Sequence, residues 1–375
     1  MNPLLALGEC GQSVWLDYMS RGLITGGTLQ RLIDADGLAG ITSNPTIFEK
    51  AIAGGGDYDA GLRRAVESDR HAGDRALVER LVVEDIQSAA DMFRPLYRNS
   101  DGLNGFVSLE VSPGAAHDTA ATIAEAQHLW HVVARPNVMI KVPATREGIP
   151  AVEALIAGGI NVNITLMFSL EHYEAVAQAY LRGLEAHPNP RQVASVASVF
   201  VSRLDTVADR LLQHIGSPEA LALCGTIAIA NARRIYRRFR EIFQGERFDR
   251  LSQRGARVQR PLWASTGTKN PSYSDVLYLE SLIAPDTVTT IPPATMDAFR
   301  DHGRVLVTLG PGDTDAETTA TLDKVAALGL DVGAITEQLQ LDGIAAFASS
   351  FEQLLSTVRL KRQALVTPSA PAGPS

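Results

Sequence analysis

Asn137-Val138-Met139-Ile140-Lys141-Val142-Pro143 reads as a buried strand that carries a single charge. Successive strand residues point to opposite faces, so Val138, Ile140 and Val142 share one face and Met139 and Lys141 the other. The neighbouring runs divide in the same way. In Phe106-Val107-Ser108-Leu109-Glu110-Val111-Ser112 one face receives Val107, Leu109 and Val111; the other receives Phe106, Ser108, Glu110 and Ser112. In the next run Val162, Ile164, Leu166 and Phe168 oppose Asn161, Asn163, Thr165 and Met167. A strand covered by helices must be apolar on its outer face, so the mixed faces point inward together.

Outward from this centre, short apolar runs alternate with helical patterns. Strands are predicted over 14–17, 40–44, 106–112, 138–142, 162–168, 193–201, 262–266 and 287–291. Helices are predicted over 74–93, 119–133, 170–186, 204–214, 218–243 and 273–283. Regular βα alternation implies a parallel sheet, and eight repeats imply closure into a single (β/α)8 TIM barrel of the α/β class. Additional C-terminal helices are expected over 297–302, 316–328 and 341–359. Residues 1–366 then form one catalytic domain. The Pro-, Ala- and Ser-rich stretch 367–375 is too poor in apolar bulk to fold and is expected to be a disordered tail.

Composition narrows the function. Of 375 residues 45% are hydrophobic and 20% charged, with a formal net charge of −8, which argues against general nucleic-acid binding. No stretch has the ~18 uninterrupted apolar residues of a membrane helix, and the N-terminus lacks a secretory pattern. Cys10 and Cys224 form no paired motif. A cytoplasmic protein without disulfides or a zinc cluster is expected.

Several local patterns have plain explanations. Gly54-Gly55-Gly56 lacks the Lys-Ser or Lys-Thr of a phosphate loop. His128 and His131 suit a helix face better than a metal site. The basic run from Arg233 to Arg240 fits an exposed face with Ile235 and Phe239 turned inward. The sequon at Asn163 lies in a buried strand.

Lysine is scarce here: Lys50, Lys141, Lys269, Lys324 and Lys361 are the only five among 34 basic residues. Burying one of them inside a strand is costly, unless it serves as an amine. A desolvated amine can attack a carbonyl and form a Schiff base. Asp17 and Glu110 are the carboxylates available to move protons, Asn44 and Asn163 can bind hydroxyls, and Thr165 can hold a water. Arg203, near a helix start after strand 6, and the segment from Ser265 to Lys269 after strand 7 suit phosphate. The chemistry needs no metal and no cofactor.

The motifs Gly40-Ile41-Thr42-Ser43-Asn44-Pro45-Thr46, Val107-Ser108-Leu109-Glu110-Val111, Ile140-Lys141-Val142-Pro143-Ala144-Thr145, Asn161-Val162-Asn163-Ile164-Thr165, Ser198-Val199-Phe200-Val201-Ser202-Arg203-Leu204-Asp205 and Trp263-Ala264-Ser265-Thr266-Gly267-Thr268-Lys269 occur in this order. Together they resemble the transaldolase family in its longer bacterial form, over roughly residues 16–360. The resemblance implies transfer of a dihydroxyacetone unit from sedoheptulose 7-phosphate to glyceraldehyde 3-phosphate, giving erythrose 4-phosphate and fructose 6-phosphate in the pentose phosphate pathway. It implies Lys141 as Schiff-base lysine and Asp17 as acid/base, with Glu110 and Thr165 holding the catalytic water. Asn44, Asn163, Ser198 and Phe200 would receive the dihydroxyacetone part, and Arg203 and Ser265 the phosphate. Gly267 stands where shorter relatives carry an arginine, and Lys269 is the cation at hand to replace it. A Schiff-base aldolase of the same superfamily and a non-catalytic barrel are the alternatives. Sugar phosphates are the expected partners, and a monomer or homodimer the expected state.

Overall fold

The protein is described here by a computed structural model that covers residues 2–310 and 316–366. Eight parallel strands close into a barrel in sequence order: β1 (Gln12–Asp17), β2 (Gly40–Thr42), β3 (Phe106–Glu110), β4 (Val138–Pro143), β5 (Val162–Met167), β6 (Ser195–Phe200), β7 (Arg260–Ala264) and β8 (Thr287–Ile291). The register carries the parity argument into space. Glu110 lies opposite Lys141, and Lys141 opposite Asn163, so the three side chains stand on one face. Val107, Ile140 and Ile164 are fully buried on the other. Each such burial is worth roughly 1.5–3 kcal/mol against exposure.

The lower barrel is filled by bulk. Trp15 and Phe106 meet over Gly40 of the strand between them, with ring centroids 6.3 Å apart. Gly40 is opposite Trp15, and a Cβ there would stand 2.5 Å from the indole, so only glycine fits. Below them the buried Arg260 guanidinium donates to Ser13 Oγ at 2.8 Å and to the Leu103 carbonyl at 2.6 Å. The polar, open end is therefore the C-terminal one, where barrel sites are built.

Some expected elements change shape. The run 40–44 leaves the ladder after Thr42, because Asn44 caps helix Pro45–Ala53 by accepting from Ile47 N. The run 162–168 was expected to alternate throughout, with Met167 facing inward. Instead the ladder shifts between Ile164 and Met167, and Leu166 has φ +54°. The extra residue exchanges faces beyond it. Met167 now pairs with the outward Val199, and the Phe168 ring lies 5.3 Å from that of Phe200. The helix expected over 218–243 breaks into Pro218–Leu221 and Ile227–Phe243, because Gly225 takes φ +75° and donates its N–H to Asp209. Of 273–283 only Leu277–Ser281 is helical. The tail expected over 367–375 lies outside the described residues.

The C-terminal helix runs over Val332–Val366, well beyond the 341–359 of its amphipathic pattern. Gln340, Gly343, Phe347, Ser350 and Leu354 follow a 3–4 spacing and form one stripe. Gln340 Nε2 donates to the carbonyls of Ala144 and Leu166, both at 3.0 Å, and Ser350 Oγ meets Thr46 Oγ1 at 2.7 Å. A Cβ at Gly343 would stand 2.8 Å from Leu166, so the helix approaches the β5 bulge closely. These contacts lay it across the barrel mouth.

Candidate active site

At the floor of the mouth, Lys141 is 4% exposed. Its Nζ donates to the Ser43 carbonyl at 3.0 Å and stands 3.2 Å from Glu110 Oε2. That ion pair lacks good hydrogen-bond direction: Glu110 Oε2 is buried with no hydrogen-bond partner, and so is Thr165 Oγ1. Burial pushes the Glu110 carboxyl upward from its ordinary range. The Lys141 ammonium opposes the shift and Asp17 adds to it.

Around the amine, small polar side chains form short relays. Ser198 Oγ donates to Asn163 Oδ1 at 2.6 Å, and Asn163 Nδ2 donates to Ser108 Oγ at 3.0 Å. Ser43 Oγ donates to the Ser108 carbonyl at 2.7 Å. Asp17, half-buried at the end of β1, accepts from Thr42 Oγ1 at 2.9 Å, and Thr42 also meets Thr290 Oγ1 at 2.8 Å. The relays fix rotamers that would otherwise be mobile.

A cavity of about 380 Å³ opens above. Nine of the eleven residues expected to act line it: Asp17, Asn44, Lys141, Thr165, Ser198, Phe200, Arg203, Ser265 and Lys269. Glu110 sits behind Lys141. Asn163 lies beneath Ser198 with both ends of its amide occupied, so it reaches the cavity through the Ser198 hydroxyl.

The far wall is cationic. Arg203 lies in the first turn of helix Ser202–Ile215, and burial lowers its pKa while Asp17 and Glu110 raise it. Its guanidinium lies 5.1 Å from the Phe200 ring centroid and 5.9 Å from that of Phe347. Ser265 takes φ +56° just after β7, and its Oγ is 3.0 Å from Ser202 Oγ. Lys269 is exposed at the rim.

Tyr18, Thr42, Lys50, Thr290 and Phe347 also line the cavity without having been assigned a role from sequence. Thr290 carries a readable signal, a polar residue at an inward position of β8. Lys50 carries another, as one of the few lysines. Phe347 carries none, since its helix is remote in sequence. His128, set aside as a metal ligand, instead meets Glu79 at 2.7 Å.

The fold and the buried amine define a class: a (β/α)8 barrel with a lysine–carboxylate pair at its C-terminal mouth and a cationic wall beside it. The family model described as transaldolase/fructose-6-phosphate aldolase matches residues 14–358, and the chain belongs to that family. It is 45% identical to the transaldolase of Mycobacterium marinum over 370 residues, 97% of this chain and 98% of that protein. It is 46% identical to the transaldolase of Mycolicibacterium smegmatis over 363 residues, covering 96% and 97% of the two chains. With the transaldolase of Thermobifida fusca the identity is 47% over 361 residues, covering 95% and 97%.

Proposed function

We infer that the chain is a transaldolase, a transferase that moves a dihydroxyacetone unit from sedoheptulose 7-phosphate to glyceraldehyde 3-phosphate. The observation that carries the reading is the enclosed Lys141 amine beside Glu110 at the floor of the cavity. In the proposed sequence Lys141 passes its proton to Glu110, and the neutral Nζ attacks the C2 carbonyl of the ketose. The resulting carbinolamine loses water, with the proton delivered from Glu110 and the water held by Glu110 and Thr165. The two buried oxygens without hydrogen-bond partners suit that water.

The iminium withdraws electrons from the C3–C4 bond. Asp17 takes the proton of the C4 hydroxyl, the bond breaks, erythrose 4-phosphate leaves, and an enamine remains on Lys141. The enamine carbon then attacks the aldehyde of glyceraldehyde 3-phosphate, and Asp17 returns its proton to the new hydroxyl. Water adds to the iminium, Glu110 takes back its proton, and fructose 6-phosphate departs with the amine restored. Asn44 and Ser198 bind the hydroxyls of the three-carbon unit, Asn163 orients Ser198, and Phe200 forms the apolar wall. Arg203, Ser265 and Lys269 take the phosphate. The residues before 367 act as one catalytic domain, working in the cytoplasm as a monomer or homodimer.

The test is borohydride reduction in the presence of fructose 6-phosphate, followed by mass spectrometry. The expected adduct is on Lys141; an adduct on Lys269, or none in active protein, overturns the assignment. The aldolase alternative predicts fast release of free glyceraldehyde 3-phosphate from fructose 6-phosphate without an acceptor. Transfer predicts release only when erythrose 4-phosphate is added.

A further inference from the structure

Arg203 is a half-buried cation beside the cavity. Among the described residues no carboxylate stands within ion-pair distance of its guanidinium, and no hydrogen bond fixes it. Two aromatic faces flank it instead, Phe200 from β6 and Phe347 from the C-terminal helix. A carboxylate would orient the group by consuming its N–H donors. A ring face attracts the cation through its quadrupole and leaves the donor edge free. An arginine meant to grip a ligand oxyanion gains from the second arrangement.

Phe347 is itself held in place. It is 4% exposed, and it sits between two anchors of the same helical stripe. On one side Gln340 grips the carbonyls of Ala144 and Leu166; on the other Ser350 meets Thr46. Gly343, one turn before Phe347, lets the helix close down: a Cβ there would lie 2.8 Å from Leu166 and 3.6 Å from Arg203 Nη1. The helix thus delivers one rigid ring to the guanidinium.

We propose that Phe347 is a positioning residue that orients Arg203 for the substrate phosphate. This rests on the reading of Arg203 as a phosphate ligand. The role belongs to binding and not to the Lys141 chemistry, so it separates from a general packing role by which probe it affects.

The experiment uses the full chain, with Phe347→Leu keeping apolar bulk and losing the ring. Two readouts matter: the competitive inhibition constant of inorganic phosphate, and the preference for fructose 6-phosphate over unphosphorylated fructose as donor. Phe347→Leu is expected to weaken phosphate inhibition and to reduce the preference, each by about tenfold, and Phe347→Tyr to restore both to within about twofold. In an Arg203→Leu background the same substitution is expected to change neither further. Should Phe347→Leu fail to fold, Phe347→Met carries the same comparison. Equal losses with both donors, or an undiminished effect in the Arg203→Leu background, overturn the role of Phe347. Phosphate inhibition left intact by Arg203→Leu alone overturns the underlying phosphate reading, and the role of Phe347 with it.

Discussion

The two ends of the cavity are built by different means. At the amine end Lys141, Glu110, Thr165, Asn163 and Ser198 all project from neighbouring strands, and a hydrogen-bond relay ties Ser198 through Asn163 to Ser108. At the phosphate end Arg203 starts a helix, Ser265 sits on a left-handed turn, Lys269 is on an exposed loop, and Phe347 comes from the C-terminal helix. Bond-making needs atoms placed to a fraction of an ångström, and a strand ladder supplies that. Holding a diffuse, multiply charged phosphate tolerates looser parts, so loops and a remote helix suffice.

The largest break in this comparison comes from Lys141→Ala. The variant is expected to remain folded by far-UV circular dichroism, to lose turnover below detection and to form no borohydride adduct. It leaves Glu110 buried without its counter-charge, which costs roughly 3–5 kcal/mol unless the carboxyl takes up a proton. Burial already pushes Glu110 that way, so the expected drop in melting temperature is modest. Turnover in a folded Lys141→Ala protein ends the proposed mechanism.

Glu110→Gln tests the same end less severely. Loss of a positioned acid/base is expected to lower kcat by about 10²–10³-fold, with KM little changed. The sign of the pH effect follows from the raised carboxyl. The wild-type enzyme should lose kcat as pH falls through a value above the ordinary carboxylate range, because Glu110 then no longer accepts the proton. The variant should lack that acid limb. An identical pH–rate profile in both proteins removes Glu110 from the proton path.

The contrast between the ends also explains what the sequence revealed. Alternation placed Glu110, Lys141, Asn163 and Thr165 on one face because the period of a strand is rigid, and the register agrees. The barrel itself was legible for the same reason, repeated eight times. The period failed at Met167, since a bulge at Leu166 leaves no mark in apolar residues that suit either face. It also failed at the break in 218–243, where Gly225 sits within an otherwise continuous helical pattern. Arg203 and Ser265 were legible only as residues close to strand ends. Phe347 was not legible at all: nothing local says which barrel mouth an amphipathic stripe will cover.

Beneath the phosphate end lies a carboxylate that, among the described residues, is held by hydrogen bonds with no cation in ion-pair distance, unlike Glu110. Asp205 accepts from Ala228 N at 2.8 Å and from Tyr278 Oη at 2.9 Å, and burial pushes its pKa up to about 7, with Asp209 adding to the shift. In an unfolded chain it would titrate near an ordinary value of about 3.9. Between those values the folded state binds more protons, so stability falls as pH rises, by at most about 1.4 kcal/mol per pH unit, and the loss is complete above the folded value. Urea unfolding of wild type and Asp205→Asn from pH 4 to pH 8 measures this. The difference in unfolding free energy should move in favour of the variant as pH rises through that window. Parallel curves would show that Asp205 titrates normally in the folded protein.

The smallest expected effect is at the rim, where it sharpens the contrast within the phosphate end. Lys269 lines the same cavity as Arg203 but is exposed, and its ammonium is a flexible point charge without a planar fork. An exposed cation acts through high-dielectric water and is screened by salt. Lys269→Ala should therefore raise KM for fructose 6-phosphate only about twofold to threefold at low ionic strength, with the effect vanishing by about 0.5 M salt. The penalty of Arg203→Leu should persist at that salt, since the half-buried guanidinium is held against two rings at the cavity wall. A Lys269→Ala penalty as large as that of Arg203→Leu and equally resistant to salt would make Lys269 the replacement for the arginine absent at Gly267. The phosphate end would then be as tightly built as the amine end.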